Sequence, residues 1–125
     1  MNHVISLKSL ISGREFAQDE VDYVDPEFGN DGILDVQYDY DYISSRFSRE
    51  KLQESKDYTI WRYKPLLPVE LDAEVPPLAV GWTPMYDAPR MARHLGLRQV
   101  WVKDDGRNPT ASFKDRASAI AVVKA

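Results

Sequence analysis

At 125 residues the chain has the length of one ordinary domain, and an apolar share of 43% allows a modest core. Its formal charge of −4 argues against a surface built to track nucleic acid, which would be basic. With no cysteine it has neither disulfides nor thiolate metal sites, and it has neither a bilayer-length apolar run nor a secretory signal, so it reads as a cytoplasmic protein with no membrane partner.

The first forty or so residues predict short strands separated by turns. Val4, Ile5, Ser6 and Leu7 are β-like, and Ser12, Gly13 and Arg14 turn the chain. Val21, Asp22, Tyr23 and Val24 predict a second short strand, ended by Asp25 and Pro26. A turn cluster around Gly29 and Gly32 leads to a third strand over residues 33–38. Residues 1–42 therefore read as a small antiparallel meander, too small to be stable unless it docks on something larger. The alternation of Tyr38, Tyr40 and Tyr42 with Asp39 and Asp41 could suggest a metal or carbohydrate surface as well as a structural strand end, and His3 and His94 read as surface residues.

Residues 43–80 form the next segment. A polar helix, capped by Ser44 or Ser45, is predicted to run to Leu52, with Phe47 and Leu52 as its apolar stripe. From Trp61 onward Pro65, Pro68, Pro76, Pro77 and Pro84 favour an extended strap laid across a protein surface.

Residues 81–125 read as the start of a further domain. A short helix is predicted over 89–95, with Asp87 near its start and Gly96 as terminator. Val100, Trp101, Val102 and Lys103 make a compact strand, and a polar loop over 104–110 follows. Ser112 and Asp115 have capping-box spacing before a last helix through Ala117, Ile120, Ala121 and Val123. That helix meets no stop signal before Ala125, as in a fragment of a longer chain.

Lys114 stands at the opening of this helix, where unpaired backbone N–H groups favour anions and disfavour an ammonium. A partly desolvated lysine there is suited to form a Schiff base with an aldehyde. Spacing alone favours a solvated surface lysine.

The nine residues Asn108, Pro109, Thr110, Ala111, Ser112, Phe113, Lys114, Asp115 and Arg116 are similar to the pyridoxal-phosphate lysine motif of threonine synthases, with Ala111 where that family usually has glycine. Ile60, Trp61, Arg62 and Tyr63, followed by Leu66, Leu67 and Pro68, resemble the segment leading into its catalytic domain. Gly81, Trp82, Thr83, Pro84 and Met85 resemble its Glu-Gly-x-Thr-Pro-Leu loop, with Val80 in place of the glutamate. The resemblance implies an α/β fold, the N-terminal part of a fold type II pyridoxal-phosphate enzyme. It implies Lys114 as the catalytic, cofactor-bearing residue, with Ser112 and Phe113 beside pyridoxal phosphate and Thr83, Asn108 and Thr110 near the substrate. The reaction implied is that of O-phospho-L-homoserine with water to give L-threonine and phosphate. A sibling dehydratase or amino-acid synthase, and a non-catalytic interaction module, stay open. So does a homo-oligomeric full-length protein, and the isolated chain is expected to be inactive.

Many members of that family begin with a zinc ribbon of two Cys-x-x-Cys pairs. Here Gly13, Pro26, Glu27, Gly29 and residues 33–36 sit where the ribbon's non-ligand residues would sit, which places Ser9, Ser12, Asp25 and Phe28 at the cysteine positions. Such a set cannot make a tetrahedral thiolate site, so no zinc is expected. Packing of Phe28, Leu34, Val36 and Tyr38 would then replace the metal, and an unrelated small β unit is the alternative.

Overall fold

The computed structural model describes residues 3–125. The chain packs as two units, one running through Glu54 and including Tyr63–Asp72, the other made of Ser55–Arg62 and Ala73–Ala125.

The first unit is built on a three-stranded antiparallel sheet of β1 (Val4–Ser9), β2 (Glu15–Phe16) and β3 (Leu34–Tyr38), in the order β2-β1-β3. The first strand is thus central, which corrects the expected meander. Leu7 lies opposite Phe16 on one side and Val36 on the other, with an irregularity in register between Val4 and Ser6. Val4, Ser6 and Ser9 are buried while Ile5 is exposed, the alternation that a half-covered strand requires. Residues 21–24 do not form a strand. Only Val24 pairs, in an isolated bridge to Ile33, because Asp22 and Tyr23 stand in solvent with no partner strand beside them.

Core burial also falls elsewhere than expected. Phe28, Leu34, Val36 and Tyr38 are half-buried, and the buried apolar residues of this unit are Val4, Phe16, Ile43 and Val69. Phe16 is 2% exposed, with the Arg14 guanidinium 4.5 Å from its ring centroid. His3 is not a surface residue: it is fully buried, its Nε2 lies 2.8 Å from the Leu67 carbonyl oxygen, and its ring stacks on Tyr38.

The predicted polar helix is two helices. Asp39 caps α1 (Tyr40–Ser44) by accepting the Tyr42 N–H at 2.8 Å, so the acid-tyrosine run turns from strand into helix. Ser44 and Ser45 end that helix rather than starting one. Ser48 then supplies the hydroxyl that accepts the Lys51 N–H at the head of α2 (Arg49–Glu54).

The proline-rich stretch is not extended throughout. Residues Ile60–Leu66 form a 3-10 turn that contains Pro65 and departs from helical dihedrals at Tyr63, where the chain passes from one unit to the other.

In the second unit β4 (Met85–Asp87) pairs antiparallel with β5 (Trp101–Lys103), and α3 (Pro89–Leu95) connects them. Proline opens α3 at a position where no N–H is needed, and Gly96 closes it at φ 65°. All six residues of β4 and β5 are exposed. A 3-10 turn (Asp105–Arg107) and a loop lead to α4 (Asp115–Lys124). The mixture of helix and strand is compatible with part of an α/β fold. Among the described residues no helix is long and apolar enough to cross a membrane.

Candidate functional site

The loop between β5 and α4 is fixed by its own polar side chains. Asn108 is buried; its Oδ1 accepts the Gly81 N–H at 2.9 Å and its Nδ2 donates to the Asp105 carbonyl at 3.0 Å. One amide therefore ties the loop before β4 to the turn after β5. Gly81 sits at φ 92°, and a Cβ there would lie 2.7 Å from Ile60 Cγ2, so no side chain fits. Trp82 follows at φ 50°, an uncommon conformation for a bulky residue, with the Tyr58 ring and the Arg62 guanidinium in contact with its indole.

Asp105 is the centre of the network. Its Oδ1 accepts the Thr83 hydroxyl at 2.5 Å and Arg116 Nη2 at 2.9 Å, and its Oδ2 accepts Arg116 Nε at 2.7 Å. The Arg116 hydrogen bonds first, and the Thr83 hydroxyl second, hold the carboxyl well below the usual carboxylate range against the opposing effect of desolvation. Lys103 donates to the Thr83 carbonyl at 2.5 Å. Thr83 is buried, and its hydroxyl is spent on Asp105.

The expected capping box is not formed. Asp115 turns back and accepts the Thr110 N–H at 2.8 Å together with the Thr110 hydroxyl, while Ser112 Oγ accepts the Lys114 N–H at 3.1 Å. Helix α4 therefore begins at Asp115 with no side-chain cap, because residues 111–114 form a separate turn. Ala111 enters that turn at φ 57°, in the left-handed region that favours glycine.

Lys114 is the last residue before α4 and is exposed. Its Nζ lies 4.6 Å from the centroid of the Phe113 ring, which is itself exposed, and no carboxylate among the described residues pairs with it. An accessible lysine amine with no acid partner among the described residues is what covalent attachment of an aldehyde cofactor needs, and the Ser112 hydroxyl is bonded to the backbone N–H of the same lysine. These residues fit pyridoxal phosphate. On another face of α4, Ser118, Ala119 and Val122 join Trp61, Leu78 and Val80 in lining an apolar groove of about 190 Å³.

Of the residues singled out from sequence, Ser112, Phe113 and Lys114 lie together in the turn. Asn108, Thr83 and Thr110 stand behind it, with their polar groups engaged by Gly81, Asp105 and Asp115. Asp105 and Lys103 were not singled out. Neither has a neighbour at a spacing that signals chemistry. Among the described residues no group of three or more His, Cys, Asp or Glu side chains could hold a metal ion.

Residues 77–125 match the family of pyridoxal-phosphate dependent enzymes. The chain is similar to the threonine synthase of Methanocaldococcus jannaschii, 37% identical over 113 residues that cover 90% of this chain and 27% of that protein. It is 41% identical over 119 residues to the threonine synthase of Methanosarcina acetivorans, covering 95% of this chain and 28% of the relative. It is 47% identical over 64 residues to that of a Synechocystis species, covering 50% of this chain and 17% of the relative. The chain thus spans about a quarter of the length of the first two relatives. No solved structure matches it. The resemblance to threonine synthases read from the lysine motif is borne out, and family and relatives together imply pyridoxal phosphate as the cofactor.

Proposed function

We propose that this chain is the lysine-bearing N-terminal part of a threonine synthase, and that Lys114 is the residue that carries pyridoxal phosphate. The enzyme would convert O-phospho-L-homoserine and water to L-threonine and phosphate. The observation that carries the reading is the amine of Lys114, exposed and without an ion-pair partner among the described residues, at the end of a loop in which Asn108, Thr110 and Ser112 are hydrogen-bonded. When bound, pyridoxal phosphate supplies an aldehyde for that amine and a ring that withdraws electrons from the substrate.

The residues of this chain then have distinct tasks. Lys114 would hold the cofactor, and its amine would move protons at the substrate carbons. Ser112 accepts the Lys114 N–H through its oxygen, which leaves its own proton to donate to an anionic oxygen nearby. Phe113 walls one side of the amine. Asn108, Thr110 and Thr83 shape the loop from behind. On this reading the isolated chain is inactive, the rest of the pocket coming from the remainder of a chain of the relatives' length, in a cytoplasmic and homo-oligomeric enzyme.

The test uses the full-length protein that contains this sequence. It is loaded with pyridoxal phosphate, reduced with borohydride, digested and mapped. A pyridoxyl label on Lys114, lost in Lys114→Ala together with phosphate release from O-phosphohomoserine, supports the reading. A label elsewhere overturns the assignment of Lys114. Ammonia released from serine or threonine, with no phosphate from O-phosphohomoserine, favours a sibling dehydratase.

A further inference from the structure

We infer that the ion pair between Asp105 and Arg116, closed by the Thr83 hydroxyl, is a positioning device that sets where Lys114 presents its amine. The inference rests on the role proposed for Lys114 and adds residues that do not touch it.

One carboxylate joins three separate pieces of chain. Asp105 belongs to the 3-10 turn after β5, Thr83 to the loop before β4, and Arg116 to the first turn of α4. Arg116 grips both carboxylate oxygens, through Nε at 2.7 Å and Nη2 at 2.9 Å, and the same Nη2 lies 3.4 Å from the Thr83 hydroxyl. A planar guanidinium held at two points on a carboxylate fixes direction as well as distance. Lys103 adds a fourth connection through the Thr83 carbonyl.

The segment that carries Lys114 is thereby held on both sides. Thr110 is tied to Asp115 before and across the turn, and Arg116 is tied to Asp105 just after it. Between these points residues 111–114 bond to near neighbours in the chain: the Ser112 hydroxyl accepts the Lys114 N–H, the Lys114 amine lies over the Phe113 ring, and backbone bonds run from Ala111 to Asn108, Asp115 to Ser112, Arg116 to Phe113 and Ser118 to Lys114. Lys114 lies two residues from Arg116, so the start of α4 cannot swing without moving it. Helix α4 has no side-chain cap and β4 and β5 are exposed, so neighbouring elements add little to this constraint.

The test again uses the full-length protein, in wild-type form and as Arg116→Lys, Asp105→Asn and Thr83→Val. Four quantities are read: the melting temperature, the rate at which Lys114 captures pyridoxal phosphate as trapped by borohydride, the absorption maximum of the bound cofactor, and amide exchange at residues 111–114 without cofactor. Arg116→Lys keeps the charge and loses the fork, so capture on Lys114 is expected to slow at least tenfold, with the absorption maximum of the bound cofactor shifted. Amide exchange at 111–114 is expected to rise at least fivefold while β1 and β3 are unchanged. Thr83→Val removes one contact without removing a charge, and is expected to fold and to show the same changes in smaller degree.

Equal loss of melting temperature in all three variants, with capture rate, absorption and exchange unchanged in the folded fraction, overturns the inference and leaves a structural pair only. A wild-type protein that takes no label on Lys114 overturns the proposed function instead. In that case unchanged exchange at 111–114 in the variants overturns the positioning role as well, and raised exchange supports it.

Discussion

Ser12 donates its hydroxyl to Asp25 at 2.9 Å across a turn and a loop of the β-sheet unit. Asp25 is 1% exposed, as is Ser9, whose hydroxyl also bonds the Asp25 carboxylate and accepts the Ser12 N–H at 3.2 Å. The Glu27 N–H completes the set at 3.1 Å. Three of the four positions where the resemblance would put cysteines therefore meet in one hydrogen-bonded cluster. Gly32 lies against it so closely that a Cβ would be 2.7 Å from the Asp25 carbonyl oxygen.

This cluster predicts an acid-sensitive β unit. Burial pushes the Asp25 carboxyl up, but the Ser9 and Ser12 hydroxyls, the Glu27 N–H and the Arg14 charge outweigh it and hold the group below its ordinary value of 3.8. A carboxyl lowered by folding adds stability that is complete above the unfolded value and fades as pH falls through the folded one. Amide protection of β1 and β3 is therefore expected to weaken below pH 3.8 and to be flat above it. Asp25→Asn should remove most of that dependence and lower the melting temperature by several degrees at neutral pH. Equal acid sensitivity in the variant would shift the cause to other carboxylates.

A metal is expected to have no part in that stability. One carboxylate and two serine hydroxyls already bonded to it make a poor zinc site. Melting in excess EDTA is expected to match melting in buffer within one or two degrees, on the order of measurement scatter. A fall of ten degrees would show a bound ion.

Ala111 is predicted to be a point of local strain. At φ 57° its Cβ crowds the following carbonyl, at a cost of about 1 kcal/mol for an L-residue. Ala111→Gly should stabilise the second unit by up to about 1 kcal/mol, less the entropy that glycine adds to the unfolded chain. Ala111→Val should destabilise it by a similar or larger amount. Urea midpoints decide the matter, and a glycine variant weaker than the parent would show that the turn tolerates its alanine without strain.

The parts of the structure that were legible from sequence are those specified by neighbours in the chain. β1, β3 and β5 announce themselves by β-branched and aromatic residues bounded by turn formers, and α3 by its opening proline and closing glycine. β2 is only two residues long, Glu15 and Phe16, too short to leave a pattern. The Asp39 cap was hidden because alternating aspartate and tyrosine has the period of a strand. Ser112 and Asp115 have the spacing of a capping box, yet Asp115 finds Thr110 nearer, a competition that spacing does not decide. The Asp105–Arg116 pair spans eleven residues, with no period to reveal it, whereas Lys114 was found through likeness to a family motif and not through physics.

Gly81 gives the last prediction. Its φ of 92° is one that L-residues rarely adopt, and an added Cβ would meet Ile60 Cγ2 at 2.7 Å, the Ile60 backbone nitrogen at 3.1 Å and Arg116 Nη1 at 3.3 Å. The isoleucine methyl can rotate aside, but the backbone nitrogen cannot, because Ile60 N–H is bonded to the Val80 carbonyl at 2.8 Å. Gly81→Ala should therefore destabilise the second unit by about 2–3 kcal/mol, the sum of a strained dihedral and overpacking. The same change displaces the Gly81 N–H that Asn108 accepts, so the loop ahead of Lys114 loosens with it. Denaturant unfolding measures the first effect and amide exchange at residues 108–114 the second. Loss of stability with exchange unchanged at 108–114 would show that Asn108 holds its loop without the bond to Gly81.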